Sequence, residues 1–147
     1  MSRDRQRDGG SWSMRNSSAQ HARQLYLKAE NDLAAAKIGL QHGAPLDTVC
    51  FHIQQTAEKL LKAVLSWKGV EYPFTHDLRD LLELALQHFA ELERFRDTLP
   101  EYTEFAVKLR YDELPSLSME EAQTAFGVVT DLRDWVRIEF RTHSESG

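Results

Sequence analysis

The sequence predicts an all-α protein, an up-and-down antiparallel bundle of four long helices and one short helix. Apolar residues recur every three or four positions in each long segment, and glycine or proline separates the segments. No segment shows the apolar–polar alternation of a strand. The connections are only a few residues long, which favours antiparallel neighbours. With 147 residues, 41% of them apolar, the chain suits a single domain with one core.

Residues 1–17 are predicted to form a flexible tail outside the bundle, which then occupies residues 18–142. The tail contains Gly9, Gly10 and several serines, with almost no apolar spacing. It carries four arginines against two aspartates, although the net charge of the chain is −5. The rest of the chain is therefore acidic, which argues against broad binding to nucleic-acid backbones.

The first two predicted helices form a hairpin. Helix one covers residues 18–43, where Gly43 can adopt the left-handed turn that ends it, and Pro45 lies in the first turn of helix two. Helix two runs to about Lys68. Its apolar side contains Val49, Ile53, Ala57, Leu60, Leu61 and Val64, and the opposite side contains Phe51, Gln55, Glu58 and Lys62.

Helix three is predicted to begin at a cap formed by Thr75 and to continue through Phe89, with Asp77 complementing its positive end. Pro100 then suits the start of a short helix that reaches Tyr111.

The last long helix is predicted from a capping box, in which Ser118 is followed three residues later by Glu121. Apolar residues continue at helical spacing from Ala122 to Phe140.

The single cysteine, Cys50, excludes an intramolecular disulfide and fits a cytoplasmic protein with a buried, inert thiol. Neither a signal-peptide core nor an apolar run of membrane-spanning length is present in the sequence. The six histidines show no metal-ligand spacing, and no glycine-rich phosphate loop follows a strand. We therefore expect no metal, no cofactor and no membrane association.

Two sequence strings resemble the HEPN domain family. The stretch CFHIQQTAEKLLKAVLSWKGVEYPFTHDLRDLL, Cys50 to Leu82, resembles its signature region, and KLRYDELP, Lys108 to Pro115, resembles its Arg-Tyr element. With the helix order, the resemblance covers roughly residues 20–138. It implies a helical bundle, homodimerisation, and a prokaryotic, toxin–antitoxin-like setting beside a minimal nucleotidyltransferase partner. It also implies either RNA cleavage or nucleotide binding.

The resemblance defines what a ribonuclease site would need: an arginine followed, after four to six residues, by a histidine. Arginine can hold a phosphate and histidine can move a proton near neutral pH. Two pairs match, Arg15 with His21 and Arg137 with His143, which is about the number that chance provides. The first begins in the predicted tail and the second ends near the C-terminus, so we predict no catalytic residue, with Arg137 and His143 as the remaining candidates.

Six residues are candidates for nucleotide binding: Gln55, Lys59, Lys62, His76, Arg110 and Tyr111. His76 lies at the start of helix three, where free N–H groups can bind an anion, although it can equally belong to the cap. Tyr111 can stack on a base while Arg110 meets a phosphate. The alternative is that Arg110 pairs with a carboxylate such as Asp112, and that Tyr111 packs at an interface.

The helix-two candidates have their own alternative. Glu58 and Lys62 are four residues apart, so a surface ion pair explains them without a ligand. Gln55 and Lys59 extend the same polar side and can line a pocket if another subunit covers it.

Three hypotheses follow from the sequence. The first is a non-enzymatic, dimeric HEPN domain that binds a nucleotide or a nucleotidyltransferase. The second is a HEPN ribonuclease with a site around His76, Arg110 or Arg137. The third is a structural dimerisation module, completed by Trp67, Phe74 and Trp135 as exposed interface residues.

Overall fold

The computed structural model describes the backbone of residues 3–110 and 118–146, and the side chains of residues 17–104, 106 and 118–142. Within these ranges the chain is helical and contains no strand. The helices are α1 (Arg3–His42), α2 (Leu46–Lys68), α3 (Leu78–Leu86), α4 (Leu99–Arg110) and α5 (Met119–Ser146), with a 3₁₀ helix (Ala90–Phe95) between α3 and α4. The predicted all-α class is confirmed.

Helix α1 begins at Arg3, so helical backbone extends through the segment for which the sequence predicted a flexible tail. Composition alone argued for the tail, because Gly9 and Gly10 are poor helix formers. A helix that is already nucleated gains one backbone hydrogen bond for each residue added, and this allows it to continue through weak residues.

Helix α2 is the central element of the bundle and packs against α1, α3, α4 and α5. Residues on most of its circumference are buried, including Ile53, Leu60 and Leu61, each at most 1% exposed. Ser18, near the middle of α1, bonds to Ser66 at the end of α2, and Asp32, closer to the end of α1, bonds to His52 in the first half of α2, so the two helices are antiparallel.

Two glycines in left-handed conformations end the first two helices. Gly43 has a φ of 72° in the turn between α1 and α2, as the sequence predicted. Gly69 has a φ of 79°, and the following Val70 N–H donates to the Leu65 carbonyl, which completes a Schellman motif. The segment that follows, residues 70–77, then turns back across α2.

Helix α5 closes the bundle beside α1 and α2. Its capping box is confirmed: the Glu121 N–H donates to Ser118 Oγ at 3.0 Å, and the Ser118 N–H donates to Glu121 Oε1 at 3.2 Å. The Arg133 guanidinium binds Glu30 of α1 through two contacts of 2.9 and 3.1 Å. Tyr26 of α1 also packs against Phe140, with ring centroids 5.6 Å apart, so α1 and α5 are antiparallel.

The third helix is shorter than predicted. Helix α3 ends at Leu86, and a 3₁₀ helix that buries Leu92 and Phe95 follows it. Phe89, the predicted last apolar residue of the helix, instead precedes the 3₁₀ helix with extended backbone angles. A 3₁₀ helix repeats every three residues and an α-helix every three or four, so the two give nearly the same apolar spacing over one turn. The sequence pattern therefore continues across the change.

Of the three aromatic residues predicted to be exposed, only Phe74 is, at 95%. Trp67 is half-buried and stacks on Phe140 with ring centroids 4.6 Å apart, and Trp135 meets Phe89 edge-on at 5.2 Å. Both tryptophans therefore complete contacts within the bundle. In the part of the chain that the structure describes, no helix is long and apolar enough to cross a membrane.

Candidate functional site

A row of polar side chains on α2 reaches the surface between α1 and residues 70–77. It consists of His52, Gln55, Lys59 and Lys62, and we call it the polar strip. Steps of three and four residues place these side chains on one side of the helix. Each is only partly buried, whereas most residues of α2 from Val49 to Ser66 are buried. The strip therefore presents polar groups of the central helix to a ligand.

A buried carboxylate, Glu58, organises one side of the polar strip. Its side chain is only 6% exposed. Oε1 accepts from Gln54 Nε2 at 3.1 Å and lies 3.0 Å from His76 Nδ1, and Oε2 accepts from Lys62 Nζ at 3.2 Å. Because an ionised carboxylate only accepts, Nδ1 of His76 carries the hydrogen, and Nε2 of the neutral ring becomes the acceptor.

This arrangement corrects the prediction that Glu58 and Lys62 form a surface ion pair. The pair exists with the predicted spacing, but the Lys62 side chain is only 12% exposed and Glu58 is buried. Residues 70–77 cover this side of α2, which the periodicity of α2 alone does not reveal. A buried carboxylate requires several partners, and the three donors satisfy that requirement.

Gln54 fastens residues 70–77 to α2. Its Nε2 donates to the carbonyl of His76 at 3.2 Å, and its Oε1 accepts from Gln55 Nε2 at 2.8 Å. His76 is therefore held at both its backbone and its ring, although 68% of its side chain is exposed. The exposed ring of Phe74 lies 5.7 Å from the His76 ring in an edge-on orientation.

The start of α3 is already satisfied by protein groups. Asp77, and not Thr75 as predicted, is the N-cap, and its side chain accepts from the Arg79 N–H at 2.9 Å. Thr103 of α4 accepts from the Leu78 N–H at 3.0 Å. Thr75 instead accepts from the N–H of Asp77, before the helix begins. The free N–H groups that were expected to bind an anion beside His76 therefore already have partners at Leu78 and Arg79.

A second carboxylate, Asp32 of α1, organises the other side of the polar strip. Its side chain is 12% exposed. Oδ1 lies 2.9 Å from His52 Nδ1, and Oδ2 accepts from Lys59 Nζ at 2.5 Å. Sequence reasoning missed Asp32 and His52. The available signal was an acidic residue beside the apolar row of α1, where Ala29 and Leu33 are buried.

Tyr72 bridges residues 70–77 to α1 at one end of the polar strip. Its hydroxyl lies 3.0 Å from His21 Nε2, and Lys62 Nζ lies 5.7 Å from the centroid of its ring. Burial, and then the charge of Glu58, raise the pKa of Tyr72, so its hydroxyl stays protonated at neutral pH. His21 thus contacts Tyr72, whereas the side chain of Arg15, its partner in the ribonuclease pattern, lies outside the described residues.

The formal charges of the polar strip and its two carboxylates cancel. Lys59 and Lys62 contribute two positive charges, and Asp32 and Glu58 contribute two negative charges. An ammonium group has three hydrogens, and each lysine donates one of them to its carboxylate. Among the described residues, each ammonium group therefore keeps further donors, and the strip can bind anionic oxygens without first breaking its own ion pairs.

The remaining predicted site residues lie elsewhere or outside the described part of the chain. The side chain of Arg137 of α5 is 43% exposed, and its Nη2 contacts Asp134 Oδ1 at 3.4 Å. The side chain of His143 lies outside the described residues, as do the side chain of Arg110 and all of Tyr111. The structure therefore brings together Gln55, Lys62 and His76, with Lys59 on the opposite side of the same strip.

The thiol of Cys50 is unsuited to nucleophilic chemistry. Burial, followed by the charges of Asp47 and Glu121, raises its pKa to about 11. The residue is 5% exposed, as expected for an inert thiol. Among the residues that the structure describes, no group of three or more histidine, cysteine, aspartate or glutamate side chains is placed to hold a metal ion.

Comparison with known proteins places the chain in one family. The family model described as HEPN domain matches residues 22–139, which is well over half of the chain and includes all of α2 and α3. No curated protein matches the chain, and no solved structure does. The match contains both carboxylates of the polar strip and every residue of the strip itself. On this match, and on the helical bundle that accompanies it, the chain belongs to the HEPN domain family.

Proposed function

We propose that this HEPN domain binds a nucleotide along the polar strip of α2 and acts as a homodimer. The observation that carries the proposal is the pair of lysines on the strip, Lys59 and Lys62. A buried or nearly buried carboxylate fixes each of them, and each retains N–H donors for a ligand. Such prearranged cations lose little freedom when a phosphate binds, which favours affinity.

A nucleotide fits this surface in one orientation. Its phosphates meet Lys59 and Lys62, while its base lies toward His76 and Phe74, whose exposed ring offers a flat apolar face. The amide of Gln55 can bind a sugar hydroxyl or a base edge. Arg110 and Tyr111 remain predicted contributors from the sequence, and the side chain of Arg110 and all of Tyr111 lie outside the described residues.

Calorimetric titration with ATP, GTP, CTP and UTP tests the nucleotide site. Lys59→Gln removes one cation of the strip, and Lys37→Gln is the matched control, since Lys37 lines a separate cleft between α1 and α5. We expect Lys59→Gln to weaken binding by about tenfold or more, equivalent to about 1.4 kcal/mol, and Lys37→Gln to leave it within about twofold. Absence of binding to all four nucleotides, or equal losses in both variants, contradicts the proposal.

The proposed homodimer is supported by family membership and by apolar residues on the outer surfaces of α1 and α5. Leu27, Ile38 and Ile138 are each 58–62% exposed. Light scattering at micromolar concentration should give a mass twice the 17.0 kDa of one chain. A particle of 17.0 kDa over the whole concentration range rejects the dimer. It leaves the nucleotide site intact, because every residue of the strip comes from one chain.

A minimal nucleotidyltransferase is the proposed protein partner, in a toxin–antitoxin-like setting. This part of the proposal is supported by family membership. The test is analytical ultracentrifugation of the domain mixed with a purified minimal nucleotidyltransferase encoded beside it. A complex of defined stoichiometry supports the partnership, and independent sedimentation of the two proteins opposes it.

RNA cleavage is the second candidate function, and the Glu58–His76 contact favours it. A carboxylate that holds Nδ1 of a histidine fixes the tautomer in which Nε2 can accept a proton. If the domain cleaves RNA here, His76→Gln lowers the rate by about 100-fold or more, whereas His88→Gln, at the exposed end of α3, has little effect. Parallel Arg110→Ala and Arg137→Ala variants test the other two candidate residues. Intact RNA after incubation with the unmodified domain eliminates this function.

A further inference from the structure

The two sides of the polar strip repeat one arrangement. On each side, a carboxylate with little exposure holds a strip lysine through one oxygen and the Nδ1 of a histidine through the other. Asp32 holds Lys59 and His52, and Glu58 holds Lys62 and His76. The carboxylates come from different helices, α1 and α2, so the repetition does not follow from one helical periodicity.

We infer that His52 and His76 both belong to the ligand site, and that they take up protons when a nucleoside polyphosphate binds to the polar strip. This inference rests on the proposed nucleotide site and adds to it a residue, His52, and a coupling to pH. Histidine is the side chain whose charge changes between pH 5 and 8. With both rings neutral, the strip and its carboxylates have no net formal charge, and two protons change that charge to +2.

The groups that face the two rings permit this protonation. His76 meets Glu58 and Lys62 of α2, and the capping Asp77 follows it in the chain. It also meets two uncharged groups, the ring of Phe74 and the amide of Gln54. From α4, the uncharged Thr103 bonds to the backbone of Leu78, two residues after His76.

His52 has a similar surrounding on the other side of the strip. It meets Asp32 of α1 and shares that carboxylate with Lys59, and its ring also meets the ring of Phe51 edge-on. Each histidine thus shares one carboxylate with one lysine. A bound polyphosphate adds several negative charges and shifts this balance toward the imidazolium.

The direction of the pH dependence follows from linkage. A polyanion stabilises the charged rings, so the complex binds more protons than the free protein does, and affinity rises as the pH falls. Each proton taken up in full changes the dissociation constant by up to about tenfold per pH unit. Two histidines can together give up to about 100-fold per pH unit in the steepest region.

Titration of the full chain with ATP between pH 8.0 and 5.5 tests the inference, with each pH measured in two buffers of different ionisation enthalpy. The buffers report the number of protons taken up on binding. The variants are His52→Gln, His76→Gln and the double variant, because a glutamine amide still donates to a carboxylate but cannot take up a proton. His88→Gln is the control, since His88 is exposed in the turn after α3 and makes none of the contacts of the strip. The phosphates of ATP titrate equally in every sample, so their contribution cancels in the comparison.

We expect the unmodified chain and His88→Gln to take up more protons than either single variant, and the double variant to take up the fewest. Lowering the pH from 8.0 to 5.5 should raise the affinity for ATP at least about tenfold more in the unmodified chain than in the double variant. Equal proton uptake in the unmodified chain and both single variants overturns the inference while leaving the nucleotide site in place. Failure of ATP to bind at every pH overturns the inference and the nucleotide site together. The His76→Gln variant alone decides the question if the double variant does not fold, because the exposed His76 ring tolerates replacement.

Discussion

Replacing Glu58 with alanine tests the network that joins α2 to residues 70–77. The substitution removes the acceptor of three hydrogen bonds, from Gln54, Lys62 and His76. Gln54 is 6% exposed and Lys62 has a side chain that is 12% exposed, so water cannot readily replace the lost partner for either one. His76 is largely exposed and loses little.

The expected loss of stability combines these terms. An unsatisfied buried donor costs about 1–3 kcal/mol, and breaking a buried ion pair from one side costs about 3–5 kcal/mol. Lys62 can move its ammonium group toward solvent, which offsets part of the cost of breaking the ion pair. We expect Glu58→Ala to lower the free energy of unfolding by about 3 kcal/mol, which corresponds to a melting temperature lower by about 10 °C for a chain of this size.

The assay is thermal and urea unfolding followed by circular dichroism, at one protein concentration because dimerisation shifts apparent stability. The control is Glu83→Ala, which removes an exposed carboxylate that contacts Arg96 and should cost less than about 1 kcal/mol. A loss below about 1 kcal/mol in Glu58→Ala, or equal losses in the two variants, refutes the reasoning that a buried network fixes His76 on α2.

Four further predictions concern the stability of the fold. Ser118→Ala removes the capping-box hydroxyl and should destabilise the protein by about 1 kcal/mol in urea unfolding, and no change would contradict the cap. In the same assay, Gly127→Ala should stabilise α5 by up to about 1 kcal/mol, because its added Cβ meets nothing within 4 Å. Gly39→Ala should be less stable than Gly127→Ala by about 1–3 kcal/mol, because its Cβ would lie 2.8 Å from Val49 Cγ2, and equal stabilities would contradict this packing. Burial raises the pKa of Cys50 to about 11 in the folded protein, so at alkaline pH the folded protein holds more protons than the unfolded protein. The contribution of Cys50 to stability is therefore retained below about pH 9 and lost toward pH 11. Urea unfolding of the unmodified chain and Cys50→Ala across this pH range should reveal the fall, and parallel stability curves would contradict it.

The sequence predicted the fold class because helical periodicity and capping are local properties. Ser118 and Glu121 form the predicted capping box, and Gly43 has the predicted left-handed backbone. The extent of the third helix was less predictable. The change from α3 to a 3₁₀ helix after Leu86 preserves the apolar spacing, so periodicity alone does not mark it.

The candidate site was predicted in part, since its residues come from segments that are distant in sequence. Lys59, Lys62 and Gln55 share a side of one helix, and this follows from their spacing. The burial of Glu58 depends on residues 70–77, and the pairing of His52 depends on Asp32 of another helix. A single sequence does not specify which segment covers which side of α2, so neither contact was predicted.

The most direct test of the proposed nucleotide site is an NMR titration of isotopically labelled protein with ATP, with backbone amide and histidine ring signals assigned. We predict that the largest shifts map to the polar strip and to residues 74–76. Signals at the cleft between α1 and α5, around Lys37 and Phe126, should move little. Shifts confined to that cleft, or no shifts at millimolar ATP, would contradict the assignment of the polar strip as the ligand site.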